Sequence, residues 1–382
     1  MKILWFARLY ADIDRFHLTT WREMGRCLRE QGHEVQIALA GPGAESEPGF
    51  FPVPASRHSG FRMVSFWRAG RAEFRRRMRD FDPDAVILDV YTFWFAGGKG
   101  RGKTRPRIIL DNRTPVYHAS EDASAIVRAL FKPYLRRCYT RVGRSFSGVT
   151  AINEFYRNLL VREYGFDPAT IGVWGSGFDP VRFFPGDGRK ALRPSEGKGR
   201  FVILQHGELS WNRGLLESVE AMRFVKSADV VLHFVGDGPA RPALQALVDK
   251  YALGDKVFLK PAVPYGEIPD IIRSADCGLM AYPAGVYWNA NNPIKLLEYL
   301  ACGKPVIVTA MDTFRSVLGE RGRAVVIDDN APARIAAGID ECRWRLGADP
   351  EWGRENAVLA RADHTWARQA ERLAEFLSKV RP

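Results

Sequence analysis

Residues 288–309, WNANNPIKLLEYLACGKPVIVT, hold the densest set of side chains that could do chemistry. The stretch runs from an Asn-rich turn through Pro293 into an amphipathic helix, then leaves through Gly303 and Pro305 into a strand. Asn291, Asn292, Pro293 and Ile294 therefore open a helix, where free backbone N–H groups favour anions. Lys295 and Glu298 stand three residues apart on one face of it. An anion seat followed one turn later by a carboxylate suits a nucleoside diphosphate, with phosphates on the N–H groups and ribose hydroxyls on the carboxylate. Lys295 reads in two ways. A cation at a helix start is poorly placed for the helix dipole, and a facing diphosphate would offset that cost. Alternatively it pairs with Glu298, worth only about 0.2–0.5 kcal/mol. Asn291 and Asn292 either orient a bound sugar or cap the helix.

Around this stretch the pattern alternates strand and helix. Apolar runs at 2–7, 35–39, 85–90 and 107–111 read as strands, and 21–31, 68–79, 120–139 and 154–163 as helices. A second series of apolar runs starts at FVILQH (201–206) and continues at 230–236, 257–263, 277–282 and 305–309. Near-continuous apolar strands between helices imply parallel sheets covered on both faces. The charged, Gly- and Pro-rich segment 186–199 lacks periodicity and reads as an interdomain linker. The expectation is an α/β protein of two domains, 1–188 and 199–365. A final helix at 366–380 carries Trp366, Leu373, Ala374 and Leu377 on one face.

The chain has 382 residues and a formal net charge of +12. Residues 1–198 carry 33 Lys and Arg against 21 Asp and Glu, so the whole surplus lies in the first half. FRMVSFWRAGRAEFRRRMRDF (61–81) and FKPYLRRCYTRVGRSF (131–146) interleave Arg with aromatic and apolar residues. That suits an anionic membrane leaflet better than nucleic acid, because the aromatics follow a helical period and form no stacking platform; an Arg-rich solvated face is the plain alternative. No run of 18 apolar residues occurs. Five scattered cysteines without a CxxC pair point to a reducing compartment. A cytoplasmic protein, peripheral on the inner membrane face, is the expectation.

The 288–309 stretch resembles the nucleotide-sugar motif of family-4-type retaining glycosyltransferases, which have the two-Rossmann-domain (GT-B) fold. Glu298, Ala301, Cys302, Gly303, Pro305 and Val306 fit that motif. The family's first Glu, which touches the transferred sugar, is absent: Ala290 stands eight places before Glu298. Further markers are GHEV (32–35), IGVWGSGFDPVRFFP (171–185) and GDGPARPAL (236–244). The resemblance implies two Rossmann-like domains facing a central cleft, with the last helix crossing back to the N-terminal, acceptor-side domain.

It also assigns residues. The loop 207–214 (GELSWNRG) follows a strand, where ligands of open parallel sheets bind. Gly207 and Arg213 match the family's diphosphate loop, and Arg213 offers a bidentate donor to phosphate. Glu208 replaces the family's Arg; it would repel a phosphate and is expected to point elsewhere. In DNRTPVYH (111–118), Asp111 and Arg113 match a DxR variant and are the expected catalytic pair, one as base or orienter and the other balancing charge near the acceptor or leaving group. Arg8, Tyr10 and His118 are expected on the acceptor side, although a lone His is more often structural.

The implied activity is transfer of a sugar, with retention, from a nucleoside-diphosphate sugar to a saccharide or lipid-linked saccharide acceptor in cell-surface polysaccharide or glycoconjugate synthesis. No metal and no other cofactor is expected, because Arg213 and Lys295 would offset the diphosphate charge. Asp12 with Asp14, and Asp80 with Asp82 and Asp84, spell metal-binding DxD motifs without His ligands at metal spacing. No GxxxxGK[ST] loop and no GxGxxG after the first strand occurs, against an NTPase and a dinucleotide dehydrogenase. A non-catalytic sugar-nucleotide-binding protein of the same fold is the competing expectation.

Overall fold

The computed structural model describes residues 1–11, 15–41, 44, 49–56, 58–96, 105–113, 125–186 and 199–382. The chain divides into two units, Met1–Gly177 with Trp366–Pro382, and Phe178–Thr365. Residues 178–186 thus pack with the second unit, ahead of the boundary expected at 188. Phe178 and Phe183 are the reason: both are buried in that unit's core beside Leu296 and Leu300. Most of the expected linker, 187–198, lies outside the described residues.

In the first unit seven parallel strands stand in the order β3-β2-β1-β4-β5-β6-β7. They are β1 (Lys2–Phe6), β2 (Glu34–Ala40), β3 (Phe50–Val53), β4 (Ala85–Leu88), β5 (Arg107–Asn112), β6 (Gly148–Ala151) and β7 (Ile171–Val173). Alternate residues of each strand serve opposite faces, which is why the strands read as unbroken apolar runs. Ile3, Trp5, Ile37 and Ile87 pack under α1 (Arg15–Glu30) and the last helix, α13 (Trp366–Lys379). Leu4, Phe6, Val86 and Leu88 pack under α2 (Ser59–Asp80) through Phe66 and Phe74. Two further helices, α3 (Ala125–Ser145) and α4 (Glu154–Tyr164), lie between β5 and β7 in the chain.

The second unit repeats the plan with six parallel strands, β10-β9-β8-β11-β12-β13. These are β8 (Phe201–His206), β9 (Val230–Val235), β10 (Val257–Lys260), β11 (Cys277–Met280), β12 (Val306–Thr309) and β13 (Ala324–Ile327). Its helices are α5 (Leu215–Ala221), α6 (Arg241–Lys250), α7 (Ile268–Ser274), α8 (Val286–Asn289), α9 (Ile294–Ala301), α10 (Asp312–Leu318), α11 (Pro332–Ala348) and α12 (Glu355–Asp363). Val202 and Leu204 face the α7–α9 side, Phe201 and Ile203 the α5–α11 side. Both sheets reverse direction of winding beside their first strand. The crevice at the carboxyl ends of the strands there, β1/β4 and β8/β11, is where such sheets bind ligands. Each unit is Rossmann-like.

The helix expected at 68–79 starts nine residues earlier, and the one expected at 120–139 runs to Ser145. Strands β3, β6 and β7, too short to show as apolar runs, complete the first sheet.

Candidate functional site

The loop after β8 turns on two glycines with positive φ, Gly207 (98°) and Gly214 (66°). Gly207 also lies against the end of the Lys295 side chain, which would have to shift if a Cβ stood there. Lys295 thus lies directly over the start of this loop, at the switch point of the second sheet. Arg213 stands at the loop's far end, 5.8 Å above the Trp288 ring. Trp288 is held in place by its Nε1–H, which donates to the Asn212 carbonyl at 2.9 Å, and by the Tyr282 ring at 4.5 Å. Burial, reinforced by the Arg213 charge, pulls the Lys295 ammonium down to about 7, with Glu298 and Glu208 acting the other way. Two cations are brought together at the place expected for a diphosphate.

Glu208 does not point elsewhere. Arg213 donates through Nη2 to its carboxylate at 2.9 Å, so an acidic side chain sits on one of the two expected phosphate ligands. The Arg213 Nε–H is buried without a partner.

Glu298 is buried, and both its oxygens are engaged. His206 Nε2, at the end of β8, lies 2.9 Å from Oε2, and the Tyr265 hydroxyl donates to Oε1 at 2.9 Å. Burial lowers the His206 pKa; its Nε2–H donates to Glu298, and its Nδ1 lies 2.8 Å from the Tyr299 hydroxyl, which itself donates to the Leu204 carbonyl at 2.9 Å. His206 and Tyr265 have no local signal linking them to Glu298, being 92 and 33 positions away.

The start of α9 carries no side-chain cap. Asn291 instead donates from Nδ2 to the Tyr287 carbonyl, and its own carbonyl accepts from Thr313 Oγ1. Ile294 N–H turns back to the Asn292 carbonyl at 3.1 Å, and Leu296 N–H to the Pro293 carbonyl at 3.0 Å. Asn292 Oδ1 is buried without a hydrogen bond, an acceptor left without a donor. Ala290 is fully buried.

The GDG turn after β9 is structural. Leu209 N–H donates to the Asp237 carbonyl, and Asp237 Oδ2 accepts from Ala262 N–H, both at 2.9 Å. Arg241 ties the same turn to β10 through the Gly236, Lys260 and Leu259 carbonyls. The loop 207–214 is thereby anchored to two neighbouring strand ends.

In the first unit, the strand-end loops of β1 and β4 meet through Asp89. Its carboxylate accepts from Arg8, Tyr91 and Thr92 N–H, and burial pushes its pKa up. The Arg8 guanidinium stacks 3.7 Å over Tyr91. Asp89 is a residue that sequence spacing does not single out. Tyr10 packs into the core with its ring 5.9 Å from Phe66. Asp111 is buried and bonded by Thr150; burial pushes its carboxyl up to about 6, against the pull of Arg113 and Thr150. Burial brings Arg113 down to about 10. Arg113 stacks 3.7 Å over Trp174 and donates to the Trp174 carbonyl at 3.0 Å. The structure thus brings Asp111 and Arg113 into one charge pair and ties the arginine to the end of β7. His118 lies outside the described residues, as do Asp12 and Asp14.

Along α2, Phe61 is 72% exposed and Val64 56%. Val64 borders, with Trp67, Arg68, Arg71 and Trp94, a groove of about 580 Å³. Arg141 of α3 lies 5.5 Å from the Trp94 ring, and Arg136, Arg137 and Arg144 continue the basic face. Among the described residues no helix is long and apolar enough to cross a membrane.

Comparison with known proteins follows this geometry. Residues 19–182 match the family model "Glycosyltransferase Family 4", and residues 189–342 match "Glycosyl transferases group 1". WcaL of Salmonella typhimurium, provisionally named a colanic acid biosynthesis glycosyltransferase, is 23% identical over 67% of this chain and 61% of its own. A D-inositol 3-phosphate glycosyltransferase of Streptomyces bingchenggensis is 27% identical over 56% of this chain and 46% of its own. The matches thus span about half the length of these relatives. The crystal structure of Anabaena HepE in complex with UDP superposes with a TM-score of 0.78 at 14% identity, covering both chains in full. At that identity the likeness establishes the fold. Glycosyltransferase models cover nearly all of residues 19–342, and both sheets take the matching form, so the chain belongs to the family-4-type glycosyltransferases of the GT-B fold.

Proposed function

We propose that the protein transfers a sugar from a nucleoside-diphosphate sugar to a saccharide or lipid-linked saccharide, with retention, in cell-surface polysaccharide or glycoconjugate synthesis. The observation that carries this reading is the meeting of Arg213 and Lys295 at the switch point of the second sheet, one turn ahead of Glu298. Glu208 meets only part of that positive charge, and a diphosphate would supply the rest. The diphosphate fits there, the ribose reaches Glu298, and a sugar hydroxyl supplies the donor that Asn292 Oδ1 lacks. HepE, of the same fold, is described in complex with UDP and with UDP-glucose.

The chemistry is electrostatic. The acceptor hydroxyl oxygen bonds to the anomeric carbon as that carbon's bond to the diphosphate breaks; the electron pair leaves on the diphosphate, whose freed oxygen takes the hydroxyl's proton. Arg213 and Lys295 offset the developing charge, so the reaction needs no metal. Asp111 and Arg113 serve the acceptor side. The aromatic and basic face of α2 and α3 seats the protein on an anionic leaflet, where a lipid-linked acceptor would be met.

A second reading, a sugar-nucleotide-binding protein without turnover, has two residues in its favour: Glu208 on Arg213, and Ala290 in place of the family's first Glu. Incubation with a panel of nucleotide sugars, scored for both binding and release of nucleoside diphosphate, separates the two. Turnover with any donor supports transfer, binding alone supports the second reading, and no binding at all removes both.

A further inference from the structure

The buried carboxylate of Glu298 is held from two sides that differ in kind. Oε2 faces His206, which is fixed in turn by Tyr299; all three side chains are buried and belong to the framework of β8 and α9. Oε1 is satisfied by Tyr265, whose side chain is 44% exposed. Tyr265 sits in the single turn Tyr265–Glu267 between β10 and α7, and its ring leans on Phe183 at 5.8 Å. An ionised carboxylate accepts only, and leaving it buried without donors is costly. One end of Glu298 is therefore locked, and the other is capped by a group that can swing out.

We propose that Tyr265 is a positioning and specificity residue for the nucleotide. Its hydroxyl occupies on Glu298 Oε1 the place of a ribose hydroxyl and yields that place when the donor binds. The inference rests on the reading that Glu298 receives the ribose. The exchange replaces a phenolic O–H by an alcoholic O–H, so the number of bonds to the carboxylate is conserved. A ligand that lacks ribose hydroxyls leaves Tyr265 where it is, and no buried acceptor is stranded. The tyrosine thus softens discrimination between ribose and deoxyribose ligands. Without its hydroxyl, only a ribose ligand can complete Glu298.

The test is titration calorimetry of the full chain and of Tyr265→Phe with the four ribonucleoside diphosphates and their 2′,3′-dideoxy counterparts. The phenylalanine keeps the ring against Phe183, so the fold is preserved. The expected result is a ribo-to-dideoxy affinity ratio about ten- to hundredfold larger in Tyr265→Phe than in the wild type, the size of one hydrogen bond to a charged acceptor. A purely structural role for Tyr265 would move both ligands together. An unchanged or narrowed ratio, with the wild type binding normally, overturns the role of Tyr265 and leaves the nucleotide reading intact. If the wild type binds none of the eight ligands, the nucleotide reading falls and takes this inference with it.

Discussion

Two cations confined to one small volume raise each other's free energy until an anion arrives, and Arg213 and Lys295 are in that state. Glu208 relieves it in part by pairing with Arg213. Replacing Glu208 with Gln keeps the side chain's size and removes its charge. Calorimetric titration with nucleoside diphosphates should then show several-fold tighter binding, and weaker binding would mean that Glu208 positions Arg213. Lys295 adds a pH dependence. Its ammonium, normally charged to above pH 10, is brought to about 7, so it is largely charged at pH 6 and largely neutral at pH 8. A diphosphate favours the charged form. Affinity should therefore fall from pH 6 to pH 8, with proton uptake on binding at the higher pH. Titration in two buffers of different ionisation enthalpy reads that uptake, and Lys295→Met should abolish both the slope and the uptake.

At the scale of elements, α13 is the piece that lets β7 close the first sheet. Phe376 lies flat over Gly172 in the middle of β7, where a Cβ would strike the ring. Gly172→Ala should cost about 1–3 kcal/mol in urea unfolding, and adding Phe376→Leu should recover part of that loss. The same strand shows what sequence can reveal. β1, β8 and β9 announce themselves as runs of four to six buried residues whose composition alone demands a covered sheet. β7 is three residues with a glycine at its centre, and β3 contains Pro52; each is a strand only because a neighbour pairs with it. The candidate site divides likewise. Gly207, Arg213, Lys295 and Glu298 are legible because each lies a fixed step beyond a strand end or along one helix. The groups that tune them are not. Tyr265 and His206 reach Glu298, and Trp174 reaches Arg113, only through the packing of distant strands.

Over the whole molecule, the charge surplus and the exposed Phe61, Trp67 and Trp94 fall on the same unit. Vesicles rich in anionic lipid should sediment with the protein, neutral vesicles should not, and 0.5 M salt should release it as charges are screened beyond a few ångströms. Arg68→Glu with Arg71→Glu should weaken this far more than Arg315→Glu with Arg321→Glu in the second unit. Equal losses would reduce the effect to net charge. The return of α13 also has a temporal consequence. The second unit is one uninterrupted segment, whereas the first needs residues made on both sides of it. During synthesis Trp5, Trp21 and Trp174 wait without their cover for roughly ten to forty seconds while the intervening residues emerge. Translation begins the first unit before the second and completes it after. A chain stopped at residue 365 should accordingly yield, under limited proteolysis, a resistant 178–365 fragment and a labile 1–177.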